Sequence, residues 1–291
     1  MYGRLPTARN PQGRQPVARK TAISKEKTPL KQALDLIMET APWLVYIITF
    51  LFGVAVGSFL NVCIYRIPKH ESIVTVPSHC MTCGKKLHWY ELIPLFSWLA
   101  LRGKCHGCKA KISAQYPVIE AANGLLCVLT LFVKGLSVDM VLTAALGSVL
   151  LVISIIDART KEIPFPLVIA VGILGAIRLV FYHEHWLNAI LGAVVMGALF
   201  LIIIIVTGGK ALGGGDFKLV IAAGLFVGLK NCVIALFLAS FFGSVIHLTL
   251  MKVKKMGREL AFGPYLSFGF FTVALWGDKL FDFYLNIIGI K

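Results

Sequence analysis

Charge is what this chain has least of. Asp, Glu, Lys and Arg make up only 15% of its 291 residues, and the acidic ones number 14 against 29 basic. So little charge, beside 57% hydrophobic residues and a mean hydropathy of +0.80, excludes an ordinary soluble domain. A nucleotide loop is also missing: Thr207-Gly208-Gly209-Lys210 lacks the spacing of Gly, four residues and Gly-Lys-Ser/Thr, and no strand-to-helix unit surrounds it. No serine triad can be assembled, because Ser244 and His247 stand three apart in one apolar stretch without a nearby acid and read as packing residues. No signal-peptide pattern precedes the first apolar stretch, and no internal repeat is found.

What the chain does have is apolar length. Stretches over roughly 43–65, 114–133, 138–156, 163–181, 186–206, 218–229, 231–251 and 261–277 mostly approach the ~20 residues that a helix needs to span a bilayer. The pattern predicts an all-α polytopic membrane protein with about eight transmembrane helices. The sixth stretch is too short to cross alone. Either it extends back through the glycine run Gly213-Gly214-Gly215, or that run dips into the bilayer, where irregular backbone survives only against protein or a wet cavity.

Lys and Arg set the orientation, since loops rich in them stay cytoplasmic. The loop 66–113 holds eight and the connection 252–258 four (Lys252, Lys254, Lys255, Arg258), whereas the connections near 134–139, 182–186 and 230 hold few. Alternating spans then put Asp157 and Asp216 on the cytoplasmic side. The arm 1–42 resists this scheme, carrying eight basic residues on the predicted outer side. Up to Pro29 it reads as a disordered extension able to touch anionic lipid, and 30–42 has the apolar spacing of a surface helix. The predicted organisation is thus the arm 1–42, a first transmembrane helix 43–65, a loop domain 66–113 and a membrane core 114–291. The net charge of +15 needs no nucleic acid, because most of it lies in the arm and two cytoplasmic loops.

The loop domain carries Cys80-Met81-Thr82-Cys83 and Cys105-His106-Gly107-Cys108, two Cys-x-x-Cys knuckles separated by 21 residues. Four thiolates so spaced suit a tetrahedral, structural zinc. Disulfides are disfavoured on a reducing cytosolic face. His79, His88 and His106 are alternative ligands but read as loop histidines, and Cys63, Cys127 and Cys232 read as small buried hydrophobes.

Carboxylates are costly at membrane depth, so those placed there point to function. Of fourteen, Glu26, Asp35 and Glu39 fall in the arm, Glu71 and Glu91 in the loop, and Asp139, Glu184, Asp278 and Asp282 on the predicted outer side. Glu120, Asp157, Glu162, Asp216 and Glu259 remain. Hydrolysis by paired acids needs one ionised carboxylate to activate water and one protonated carboxyl to donate to the scissile carbonyl. Asp157 and Asp216 fit best, each joining an apolar helix to a turn. The blander readings are a helix-end pair of Asp157 with Arg159 or Lys161, and Asp216 as a helix N-cap.

The ordered motifs resemble the type IV prepilin peptidases, bifunctional aspartic leader peptidases and N-methyltransferases of bacterial membranes. The resemblance runs from about residue 53 to 270. It rests on Gly57-Ser58-Phe59-Leu60-Asn61-Val62, Tyr65-Arg66-Ile67-Pro68, the four cysteines, Ile93-Pro94, Ser97-Trp98-Leu99, Leu101-Arg102-Gly103-Lys104-Cys105, Ile112-Ser113 and Tyr116-Pro117-Val118-Ile119-Glu120. It continues with Asp157 followed by Ile163-Pro164, then Gly213-Gly214-Gly215-Asp216-Phe217-Lys218 and Ala261-Phe262-Gly263-Pro264-Tyr265. It implies a catalytic dyad of Asp157 and Asp216 in a multi-pass protein of the bacterial inner membrane. The dyad would remove a short basic leader from type IV pilin or secretion pseudopilin precursors at the cytoplasmic face, cutting after a glycine and before a hydrophobic residue. S-adenosylmethionine would then methylate the new N-terminus.

Gly213, Gly215, Lys218 and Glu120 take supporting roles in this reading. Lys218 would stabilise ionised Asp216 or else snorkel, and Glu120 would be structural or serve methyl transfer. Glu162 or Glu259 would meet the basic leader. Two departures from the family pattern stand out: Phe165 follows Ile163-Pro164 where Asp or Asn is usual, and the arm 1–42 has no family counterpart. The competing readings are a peptidase without methyl transfer and a cation or proton transporter using the same aspartates.

Overall fold

In the computed structural model, residues 37–209, 212–254 and 261–289 are described. The chain divides into two units, Met1–Pro42 and Trp43–Lys291. Of the first, residues 37–40 form a helical turn closed by the Ala41 N–H on Ile37 O at 2.8 Å; the rest of the predicted arm and surface helix lies outside the described residues.

The second unit is built from long helices: α1 Pro42–Arg66, α2 Gln115–Lys134, α3 Val138–Thr160, α4 Phe165–Phe181, α5 Trp186–Thr207, α6 Gly214–Val227, α7 Leu229–Lys254 and α8 Gly263–Ile288. No strand occurs among the described residues, so the all-α expectation holds. The expected eight spans separate into two groups. Among the described residues, α1, α2, α3, α5 and α7 are the five helices long and apolar enough to cross a membrane. α4 has 17 residues, α6 has 14, and α8 carries Asp278, Lys279 and Asp282 in its second half. α6 starts inside the glycine run, at Gly214, which settles how that short stretch is extended.

Lipid tails are as apolar as leucine, so packing between such helices relies on close contact and polar links rather than on escape from water. α3 is the hub. Leu146, Leu150, Ile153 and Ile156 recur at helical spacing, each at most 1% exposed, while Leu266 and Phe270 of α8 and Leu219, Val220 and Ala223 of α6 are fully enclosed. α5 and α6 touch backbone to backbone, since a Cβ on Gly192 would lie 2.8 Å from the Gly224 carbonyl oxygen. Buried Asn123 joins three helices: its Nδ2 donates to Gly53 O of α1 at 2.7 Å, and its Oδ1 accepts from Ser148 Oγ of α3 at 2.7 Å. Outward faces stay apolar, as at Phe52, Val180, Ile205 and Phe237.

The two ends of α3 differ in chemistry. Near its start, Asp139 pairs with Lys134 and with Arg178 Nε at 2.9 Å, and at the same end Lys230 pairs with Asp278 at 2.6 Å. Asp157 stands about 27 Å away along the helix axis. The loop between α1 and α2 is closed at its root by buried Arg66, whose Nη1 donates to Ser72 O at 3.1 Å and Val76 O at 2.8 Å. Beyond it lie a 3-10 turn at Trp89–Leu92 and a short helix at Phe96–Ala100.

Candidate active site and metal centre

Asp157 sits in the last turn of α3 and is 4% exposed. Its Oδ2 accepts the backbone N–H of Gly263 at 2.8 Å. Gly263 is the first residue of α8, and the first amides of any helix have no partner within it. Asp157 therefore supplies from another helix the cap that α8 lacks, and places negative charge at the positive end of its dipole. The contact requires glycine: a Cβ on residue 263 would fall 2.7 Å from Oδ2.

Asp216 has a matching environment on α6. Gly213 is the N-cap with extended backbone, at φ −76 and ψ 146, and half-buried Asp216 is the third residue inside the helix. Its Oδ2 turns back toward Gly213, 3.2 Å from where a Cβ there would stand, beside the unpaired amides that open the helix. The expected N-cap role thus falls to Gly213. The loop that follows Asp157 reaches this run, for a Cβ on Gly215 would lie 3.0 Å from Ile163 Cβ. Asp157 and Asp216 are close enough for the charge of one to act on the other. Each of the two carboxylates thus stands at the positive end of a helix, within electrostatic reach of the other.

The neighbouring charges are engaged elsewhere. Arg159 lies over the Tyr65 ring at 5.5 Å and bonds Gln115 Oε1, tying the ends of α1, α2 and α3 together. Lys218 is exposed, with Nζ 5.1 Å from the centroid of Phe165, the residue that departs from the family pattern. Glu162 is exposed, five residues after Asp157 in the turn that follows α3, and Glu259 lies outside the described residues. Buried Glu120 is 6% exposed; its Oε2 accepts the Leu95 N–H at 2.8 Å, and the Ser58 hydroxyl bonds the same carboxylate. Leu95 has φ +61, an uncommon backbone for a non-glycine residue, so Glu120 holds a strained point of the loop.

The four predicted cysteines converge. The sulfur atoms of Cys80, Cys83, Cys105 and Cys108 lie within 4.8 Å of one another and could hold a metal ion, and none of the loop histidines joins them among the described residues. Each knuckle is a tight turn, with Cys80 N–H on Lys85 O and Cys105 N–H on Ala110 O, both 2.9 Å. The amides of Cys83 and then Thr82 hold the Cys80 thiol down at about 6, which favours thiolate at neutral pH. Cys63, Cys127 and Cys232 are buried and remote, as expected of small hydrophobes.

Missing from the sequence reading were the part played by Gly263 as donor to Asp157 and the packing of Ile163 on Gly215. The one available signal was a Gly-Pro pair opening an apolar run, which marks a helix start with an unpaired amide.

Residues 51–134 match the bacterial peptidase A24 N-terminal domain, and residues 144–248 match the type IV leader peptidase family. A prepilin leader peptidase/N-methyltransferase of Pseudomonas putida is 32% identical over 287 residues, covering 87% of this chain and 98% of that protein. Proteins of the same description from Xanthomonas campestris and Bacillus subtilis are 33% and 31% identical, covering 82% of this chain in each case and 94% and 98% of their own lengths. No solved structure matches the chain. With the two domain models matched in order and relatives aligned almost end to end, this multi-pass membrane protein belongs to the type IV leader peptidase family.

Proposed function

We propose that the chain is a membrane aspartic endopeptidase that removes the short basic leader of type IV prepilin-like precursors and then methylates the new N-terminus. The observation that carries the peptidase reading is the meeting of Asp157 and Asp216 at the N-termini of α8 and α6. In this reading a water sits between the two carboxyl groups. The ionised carboxylate takes its proton as oxygen attacks the scissile carbonyl, the protonated one donates to the carbonyl oxygen, and the leaving amine is protonated as the intermediate collapses. The Gly263 amide fixes Asp157, and Asp216 is turned back toward Gly213 at the opening of α6.

The substrate's apolar helix lies laterally against the bundle, and the cut falls between a glycine and a hydrophobic residue. The basic loop 66–113 supports a cytoplasmic location of this face in the bacterial inner membrane, where pilus and secretion pseudopilin precursors present their leaders. Glu162, exposed five residues after Asp157, is positioned to meet a leader lysine.

Zinc is the proposed metal of the cysteine cluster. A tetrahedral site with Zn–S near 2.3 Å sets its sulfurs roughly 3.8 Å apart, and Cys80 Sγ and Cys108 Sγ are 3.8 Å apart. Four thiolates leave no position open for a substrate, so the ion's part is structural: bound there, it would tie the two knuckles together. Methyl transfer from S-adenosylmethionine is supported by the names of the relatives alone.

The test is mass spectrometry of a pilin precursor, with leader and first apolar helix, incubated with the purified protein in lipid plus S-adenosylmethionine. Loss of the leader by wild type and not by Asp157→Asn or Asp216→Asn is the expected result, with one added methyl on the product. Cleavage without the methyl would leave a peptidase only. Failure of wild type to cut any pilin-like precursor would favour a transporter built on the same aspartates.

A further inference from the structure

The segment between the knuckles lies deeper than a surface loop should. Its Leu95 amide is bonded to Glu120 Oε2 at 2.8 Å, and Glu120 is the sixth residue of α2, about 7.5 Å inside its end. The same carboxylate faces Ser58 of α1, and Gly57 packs on this turn of α2, where a Cβ would come 2.8 Å from Glu120 Cα. Leu95 is thus pinned to the second turn of α2, where that helix packs on α1.

The side chains around it are arranged accordingly. On the inner side, Trp98 packs on Gly103 and donates from Nε1 to Ile112 O at 3.3 Å. On the other side Trp89, Ile93, Phe96 and Leu99 are 79%, 40%, 62% and 64% exposed among the described residues. All four are large and apolar, as are the exposed side chains on the outer faces of the helices. Exposed Lys86, Arg102, Lys104 and Lys111 flank them, the arrangement of an in-plane segment whose cations meet anionic headgroups while its aromatics sit at the interface.

We propose that residues 89–101 are an in-plane membrane anchor. Its apolar face is seated among lipid acyl chains of the leaflet on the Asp157 side, so that the cysteine hairpins rest on the bilayer rather than hanging free in solution. The occupant of this face is lipid, because exposed aromatic and aliphatic side chains stand beside a basic rim that complements anionic headgroups. The inference needs only the membrane setting and goes beyond the peptidase reading.

The experiment uses the full chain, metal-loaded, in nanodiscs of phosphatidylcholine and phosphatidylglycerol, without substrate. Fluorescence of wild type minus Trp89→Phe isolates the Trp89 signal. It is expected to lose most of its intensity when the phosphatidylcholine carries bromine on its acyl chains, and little when acrylamide is added to the water. Quenching by acrylamide but not by brominated lipid would overturn the proposal. So would shielding of Trp89 that comes only when a pilin precursor is added, which would make the face a substrate-docking surface.

A second measurement needs no variant. Wild type in nanodiscs containing a lipid with a diazirine in its acyl chain is irradiated and digested with trypsin. Adducts on the peptide of residues 87–102 are expected, and adducts confined to the long helices would refute the anchor. Neither readout depends on cleavage, so a failed peptidase assay leaves this result standing.

Discussion

Gly263 donates its amide to Asp157 across 106 positions of sequence, joining the last turn of α3 to the first residue of α8 at 2.8 Å. The bond tolerates no side chain on the donor, since a methyl would meet the carboxylate at 2.7 Å. Gly263→Ala is therefore expected to displace Asp157 and lower kcat for precursor cleavage about 10- to 100-fold, the scale of a misplacement near 1 Å. Bound zinc, measured by elemental analysis, should be unchanged. A variant with wild-type kcat would show that the bond does not position the acid.

Asn in place of either aspartate keeps a carbonyl oxygen at the same helix opening but cannot cycle a proton. Asp157→Asn and Asp216→Asn are each expected to reduce cleavage at least about 10³-fold. In the proposed reading the two acids work as a pair, so the double variant should be little worse than either single one. Single-turnover cleavage of a precursor peptide measures all three.

Glu120→Ala removes the acceptor of a buried amide and should cost about 1.5–3 kcal/mol of local stability. The effect belongs at Leu95, whose positive-φ backbone is held by that carboxylate. Hydrogen exchange read by mass spectrometry should accelerate in residues 89–101 and not in α3. Wild-type methyl transfer in this variant would also exclude Glu120 from that step.

One zinc per chain is expected in wild type, and well under one in Cys80→Ser or Cys105→Ser. Structural zinc in small knuckles contributes on the order of 10 kcal/mol to their folding, so chelation should expose the exposed Lys104 and Lys109 to rapid tryptic cleavage. Resistance to trypsin after complete metal removal would mean that the hairpins hold without it.

Lys218 rests on Phe165 rather than on Asp216. Lys218→Met should alter kcat by no more than about fivefold, the size of a lost cation–π contact, and leave the pH dependence of kcat in place. A displaced pH profile would instead give Lys218 a direct electrostatic hold on the acid.

The apolar stretches were legible because membrane helices carry their signal in every residue, and most observed ends fall within a few residues of those predicted. The exception is α8. The run seemed to close at Gly277, before Asp278 and Lys279, yet the helix continues to Ile288. Asp278 finds Lys230 at 2.6 Å, and Phe283, Tyr284 and Ile287 lie exposed along its last turns.

Asp157 and Asp216 were visible for the opposite reason, as scarce charges in an apolar chain, and the cysteines were visible by spacing. What the sequence could not show was which helix end meets which acid. Gly263 and Asp157 are brought together only by the packing of α8 on α3, and Leu95 meets Glu120 only through the depth of the loop. Phe165 was visible as a departure but not as the seat of Lys218.

α6 has 14 residues, roughly 21 Å of helix, against a hydrocarbon core near 30 Å. From Leu219 to Val227 no residue of α6 is exposed, so protein rather than lipid surrounds the helix. A helix about 9 Å shorter than a full span leaves room at one of its ends for water to enter between longer neighbours. In the peptidase reading that end is the one at Gly213, which brings the water a hydrolase needs to the level of Asp216.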